Sequence, residues 1–205
     1  MLGYRIVRGI ALAYAKLFYR IEVLGKENEP KEDGCIAIAN HSSFFDPLAV
    51  AAALKRDVYF MAKSDLEKFA PMRWLFKMCN VTPVRRGESD MAALRKSFDI
   101  INGGNVMGVF PQGTRIPCSA PDFETAQAGI GLMAIKTKVP ILPISICYGK
   151  KNQKPTLFRK VKVIIGKPIY YEEYSVIDGE KAGSHEISKT AFKQVCENFT
   201  AHNHG

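Results

Sequence analysis

The chain of 205 residues carries a formal net charge of +9, with 47% hydrophobic and 24% charged residues. That composition excludes extended disorder, and the length suits one domain with a substantial core. The positive balance suits nucleic acid, an anionic membrane or a phosphorylated substrate, but aromatics do not interleave with basic residues as nucleic-acid stacking requires.

Residues 1–20 read as a basic amphipathic helix. Arg5, Arg8, Lys16 and Arg20 interrupt any run long enough to span a bilayer, which needs about 20 apolar residues. On a helical wheel those four share a sector of roughly 120°, while Ile6, Val7, Ile10, Tyr14, Leu17, Phe18 and Ile21 take the opposite side. No clear apolar central region or small-residue cleavage site marks a signal peptide. Such a helix lies in a membrane interface; the plainer alternative packs it on its own domain with the basic face in water. The expected division is residues 1–20 as an interfacial helix and 21–205 as one domain.

Short apolar runs then alternate with helical segments. Strands are expected at Ile21–Leu24, Cys35–Ala39, Val58–Met61, Val81–Val84, Val106–Phe110, Ile141–Cys147 and Val161–Ile165. Helices are expected near Pro47–Leu54, Asp65–Cys79, Asp90–Asn102, Ala126–Thr137 and Glu186–Ala201. Ser64-x-x-Glu67 is a capping box, Pro71 divides the helix after it, and Gly103-Gly104 is a helix stop. The alternation predicts a layered α/β fold with a central sheet of about seven strands flanked by helices.

Two segments carry the chemistry. Asn40-His41-Ser42-Ser43-Phe44-Phe45-Asp46-Pro47 follows a buried strand and sets an imidazole five positions before a carboxylate. That pairing suits a general base whose ring tautomer the carboxylate fixes. The competing explanation of Asp46-Pro47 is an N-cap followed by proline at the first helical position. Phe110-Pro111-Gln112-Gly113-Thr114-Arg115 also follows a strand; glycine admits a phosphate close to backbone N–H groups and Arg115 offers a fixed fork of donors, although a plain type I turn explains the same residues. Arg85 and Arg86 end another strand and Lys63 sits just past one, where a solvated lysine is the simpler reading. The five cysteines are scattered and form no C-x-x-C pair, which argues for a reducing compartment and against a disulfide framework or a zinc site. His185, His202 and His204 lie in polar segments, where a solvated tail competes with metal binding.

Taken together these blocks resemble the 1-acylglycerol-3-phosphate acyltransferases of the glycerolipid acyltransferase family. His41 and Asp46 match its H-x4-D block, Val81–Gly87 its second block, Phe110–Arg115 its F-P-E-G-T-R block and Val139–Ile144 its fourth, in the family's order. Two positions depart from the pattern: Gln112 stands where glutamate is usual, and Gln127 where lysine is frequent.

The resemblance implies a mixed α/β sheet and transfer of an acyl group to the 2-hydroxyl of lysophosphatidic acid, giving phosphatidic acid. His41 would be the general base, Asp46 would orient it, and Arg86, Gly113, Thr114 and Arg115 would hold the acceptor phosphate. Gln112 would orient an arginine through its amide oxygen, and Lys63 is a further candidate. No metal or cofactor is implied; the donor is acyl-CoA or acyl-carrier protein, at the cytoplasmic face of an anionic membrane. Two alternatives stand beside this: another acceptor such as glycerol-3-phosphate or a different lysophospholipid, or a phospholipid-binding protein of low turnover.

Overall fold

The seven apolar runs become seven strands: β1 (Arg20–Leu24), β2 (Cys35–Ala39), β3 (Val58–Lys63), β4 (Val81–Val84), β5 (Val106–Val109), β6 (Ile141–Cys147) and β7 (Lys160–Ile165). They come from a computed structural model that describes residues 6, 9, 10, 13, 17–63, 80–84, 91–149, 156–177 and 179–203. The strands pair into one sheet in the order β1-β7-β6-β2-β5-β3-β4. Neighbours are parallel except β6 and β7, which are antiparallel. The sheet is therefore mixed, as expected.

Both faces are covered, which explains why β2 reads as an unbroken apolar run and β6 as one interrupted only by the buried Ser145. Cys35, Ala37 and Ala39 join the core on one face, against helix α1 (Asp46–Ala53). Ile36 and Ile38 join the core on the other, with α3 (Gly129–Thr137) and α5 (Ser184–His202). Helix α2 (Met91–Asn102) adds its buried Ile101 to this second layer. On the first face the residues are small. Cys35, Ala37 and Ala39 share one buried cluster with Ala49, Val50 and Ala53 of α1, which packs over β6 and β7. Beyond its far end the buried Glu29 carboxylate accepts from the N–H groups of Lys55, at 2.9 Å, and Arg56, at 3.0 Å. Asp46, at the near end, thus sits on a helix held along its length and at its tail.

The one antiparallel pairing has a consequence for the site. Because β1 and β7 run against the other five strands, they begin at the edge where β2, β3, β4, β5 and β6 end. In open α/β sheets ligands bind beyond the carboxyl ends of the strands. At that edge lie the turns after β2, β5 and β6 and the approaches to β1 and β7.

Several boundaries differ from those read in the sequence. The helix expected from Ala126 starts at Gly129, because the Gln127 N–H donates to the Pro111 oxygen at 3.0 Å and holds that stretch in the turn after β5. A short helix α4 (Tyr171–Tyr174) and a hairpin of β8 (Val176–Ile177) and β9 (Glu180–Lys181) were not expected. The hairpin has a local signal: Asp178-Gly179 is a favoured two-residue turn, and Gly179 has φ +82°. Arg20, placed on the N-terminal helix by its spacing, instead opens β1. Most of that helix lies outside the described residues, as do the helix near Asp65–Cys79 and the block 85–90. Residues 6, 9, 10, 13, 17 and 18 are helical, with Ile6, Ile10 and Leu17 exposed.

Candidate active site

The β2 strand ends at Ala39 and α1 begins at Asp46, so six residues must turn the chain from sheet to helix. Asp46 organises that turn. Its Oδ2 accepts from the backbone N–H of Ser42 and of Ser43, each at 2.7 Å, and lies 2.8 Å from His41 Nδ1. All three contacts point back into the turn, so the carboxylate is not capping its own helix; the position before it, Phe45, is the N-cap. A carboxylate accepts and cannot donate, so Nδ1 carries the hydrogen and Nε2 is left as an acceptor. The Nε2 atom makes no hydrogen bond to any described residue, and the His41 side chain is 16% exposed while Asp46 is fully buried. One nitrogen is fixed and the other is open.

A fourth donor reaches Asp46 from the end of β6. The Tyr148 hydroxyl donates to Oδ1. Burial, reinforced by the Asp46 charge, pushes the Tyr148 phenol far up, so it stays protonated and remains a donor. Tyr148 drew no functional reading from the sequence, where an aromatic closing an apolar run is ordinary core.

The rest of the turn is tied to the sheet by side chains standing in for backbone. Asn40 donates through Nδ2 to the Ile146 oxygen at 3.0 Å and accepts at Oδ1 from the Ile146 N–H at 2.8 Å, extending the β2–β6 pairing by one rung. The His41 N–H donates to Gln112 Oε1 at 3.3 Å, and the His41 oxygen accepts from the Ile116 N–H at 2.8 Å. The turn after β5 thus grips His41 from both sides of its backbone. Phe110 lies flat on the imidazole, 4.1 Å between centroids and 18° between planes, and Phe60 stacks behind Phe110 at 6.1 Å. The histidine ring is held by its face as well as by Nδ1.

Among the described residues Gln112 holds the His41 backbone N–H, a contact the sequence did not suggest. Its Nε2, like the Ser42 hydroxyl, is buried with no partner among the described residues. Gly113 closes a turn on Phe110, its N–H donating to the Phe110 oxygen at 2.9 Å, with φ +65°. That φ favours glycine; a side chain there would meet only the flexible end of the exposed Gln127 side chain, 2.9 Å away, which can move aside. The next two N–H groups, of Thr114 and Arg115, have no partner among the described residues and are exposed. The Arg115 guanidinium lies 3.3 Å over the centre of the exposed Phe44 ring. Stacked by its face, it keeps its in-plane N–H groups free to receive an anion. Arg86 lies outside the described residues, and of Lys63 only its place at the end of β3 is described.

Beside His41 lies a shallow, open depression lined by Asn40, Ser42, Gln112, Ile116 and Ser119 among others. Among the described residues no three His, Cys, Asp or Glu side chains converge as metal ligands. Burial raises the Cys35 and Cys147 thiols to about 12 each, which makes them inert core groups.

Comparisons with known proteins bear on this geometry. A family model described as Acyltransferase matches residues 20–147. The chain is similar to the chloroplastic 1-acyl-sn-glycerol-3-phosphate acyltransferase BAT2 of Brassica napus, 30% identical over 162 residues, spanning 75% of this chain and only 46% of that protein. It is similar to the 1-acyl-sn-glycerol-3-phosphate acyltransferase of Bacillus subtilis (strain 168), 25% identical and covering 76% of each. The fold matches the crystal structure of PlsC, the 1-acyl-sn-glycerophosphate (LPA) acyltransferase of Thermotoga maritima, with a TM-score of 0.74 and 26% identity over 97% of this chain and 80% of that one.

Proposed function

We propose, on the premise that this chain belongs to the acyltransferase family, that it moves an acyl group from a thioester to the 2-hydroxyl of 1-acylglycerol-3-phosphate. The product is phosphatidic acid. The observation that carries the reading is a histidine held at Nδ1 by Asp46, 2.8 Å away, with Nε2 open. His41 Nε2 takes the proton of the acceptor hydroxyl as its oxygen attacks the thioester carbonyl. The tetrahedral adduct collapses with cleavage of the C–S bond, and the imidazolium returns its proton to the departing thiolate. The acceptor alcohol is the nucleophile, so no serine or cysteine is acylated. Arg115, with the free N–H groups beside it and Arg86, holds the acceptor phosphate. The donor is acyl-CoA or acyl-carrier protein, and the reaction runs at the cytoplasmic face of an anionic membrane. Among the described residues no helix is long and apolar enough to cross that membrane, which suits peripheral binding.

Incubating the protein with lysophosphatidic acid and either thioester, then identifying the product by mass spectrometry, tests this directly. Phosphatidic acid is the expected product. Acylation of glycerol-3-phosphate or another lysophospholipid instead reassigns the acceptor, and tight lipid binding without product makes the protein a binder.

Arg115→Ala should weaken the acceptor by roughly 10–150-fold, the loss of one charge-assisted contact of about 1.5–3 kcal/mol. The donor KM should barely move. Equal weakening toward an acceptor lacking phosphate would show that Arg115 does not read that group.

Gln112→Glu should raise turnover by a few-fold with little change in Tm. A charged acceptor holds the His41 N–H more strongly, and a second carboxylate oxygen replaces an amide nitrogen that has no partner among the described residues. A fall in turnover together with acceptor affinity would identify glutamine as the adapted residue.

A further inference from the structure

We infer that the turn Thr156–Arg159 forms a second lipid-docking element, belonging to the folded domain itself and placed at the catalytic edge of the sheet. Four observations carry it. Leu157 is 50% and Phe158 66% exposed, two adjacent large apolar side chains presented on one tight turn. That turn is closed by the Arg159 N–H donating to the Thr156 oxygen at 3.1 Å. Phe158 holds φ +63°, a conformation that disfavours a bulky side chain. A residue that fits its backbone poorly and shows its ring to solvent is placed for something outside the chain.

The turn does not stand alone. The Phe158 N–H donates to the Phe18 oxygen at 2.6 Å, and the two rings lie 6.0 Å apart. Leu17, at the end of the N-terminal helical segment, is 69% exposed beside Phe18. Arg20 and Arg159, paired through the Arg20 N–H and the Arg159 oxygen at 3.3 Å, flank the apolar tip; both are exposed, and neither has an ion pair among the described residues. Apolar side chains rimmed by two exposed arginines match the boundary between acyl chains and anionic headgroups.

Topology puts this tip at the reacting end. It precedes β1 and β7, whose starts share an edge with the ends of β2, β5 and β6. Phe18 faces the tip, and its neighbour Tyr19 packs on Phe45 at 4.4 Å, one residue before Asp46. A bilayer touching Phe158 thus lies beside the His41–Asp46 pair, and an acceptor can reach the histidine with its chain still in the membrane.

A second copy of the chain is a poorer occupant. Self-pairing of the tip would set arginines against arginines, and one turn is far smaller than the roughly 800 Å² per partner of a standard protein interface. The inference rests on the membrane reading above and deepens it, but its test needs no turnover.

The test is flotation of the full chain with vesicles of phosphatidylcholine containing phosphatidylglycerol, comparing parent with a Leu157→Asn, Phe158→Asn double variant. Asparagine accepts positive φ more readily than phenylalanine, so Tm should hold or rise. Removing two apolar side chains should lower apparent partitioning by about tenfold or more. Turnover on monomeric short-chain lysophosphatidic acid should stay near the parent's, while turnover on vesicle-borne acceptor falls. Partitioning within twofold of the parent overturns the inference, as does a change of oligomeric state with vesicle binding intact. If the double variant loses its thermal transition, Leu157→Asp, at a residue outside the positive-φ region, carries the same comparison. Loss of flotation in a protein whose parent yields no acylated lipid would leave the docking tip standing and remove the acyl-transfer reading.

Discussion

His41→Ala should lower turnover by at least about 10², and by as much as about 10⁴, while lysophosphatidic acid affinity stays within a few-fold of the parent. The separation follows from geometry. Nδ1 is committed to Asp46 and Nε2 makes no hydrogen bond to a described residue, so the ring can serve a proton, whereas the groups proposed to hold the phosphate lie at Thr114 and Arg115 in the turn after β5. Phe110 and Phe60 stack with each other without the ring, so the fold should survive its loss. Turnover and acceptor binding are to be measured on the same folded preparation. Activity within a few-fold of the parent would remove His41 from the chemistry and leave it as a stacking partner.

Asp46→Asn should be as damaging to turnover and should also weaken the fold. The buried carboxylate accepts from Ser42, Ser43, His41 and Tyr148. An amide offers one oxygen and turns two N–H groups toward donors, so at least one charge-assisted hydrogen bond is lost and a donor is left facing a donor. Each such loss costs about 1.5–3 kcal/mol. For a domain of this size that corresponds to roughly 5–10 °C in Tm. The amide can also hold the ring in the wrong tautomer, with the proton on Nε2, where it cannot act as base; comparable replacements cost up to about 10⁴ in rate. Circular-dichroism melts beside product assays separate the two effects. A large Tm loss with turnover close to the parent would make Asp46 a staple of the turn and nothing more.

How much of this was legible before the fold was known depended on how local the determinant was. The central strands could be read because a sheet covered on both faces makes them largely apolar, as in Cys35–Ala39 and, but for Ser145, Ile141–Cys147. The His41–Asp46 pairing was also readable, since five residues of turn connect the partners. What one sequence could not decide was the direction of the Asp46 side chain, because an N-cap and a clamp on the preceding turn use the same residues in the same order. Tyr148 was beyond reach. It meets Asp46 across 102 positions, and a tyrosine closing an apolar strand has an ordinary explanation. The contact of Gln112 with the His41 backbone N–H was equally hard to foresee, since its partners lie 71 positions apart and the resemblance pointed instead to an arginine. The hairpin at Val176–Lys181 was missed despite its Asp-Gly turn, since each strand is only two residues long.

The clasp formed by Asn40 on Ile146 and by Tyr148 on Asp46 also bears on when the protein can begin to work. These contacts close loops of 106 and 102 residues, among the slowest events in assembling a sheet, because chain entropy must be lost before any bond returns it. During synthesis, β2, α1 and β5 can emerge and pair while the Asp46 carboxylate still lacks its tyrosine and the turn after β2 lacks its anchor. Until then the imidazole lacks the fixed orientation that the proposed general-base role requires. On the proposed chemistry, competence therefore waits for β6 to take its place beside β2 and complete both contacts.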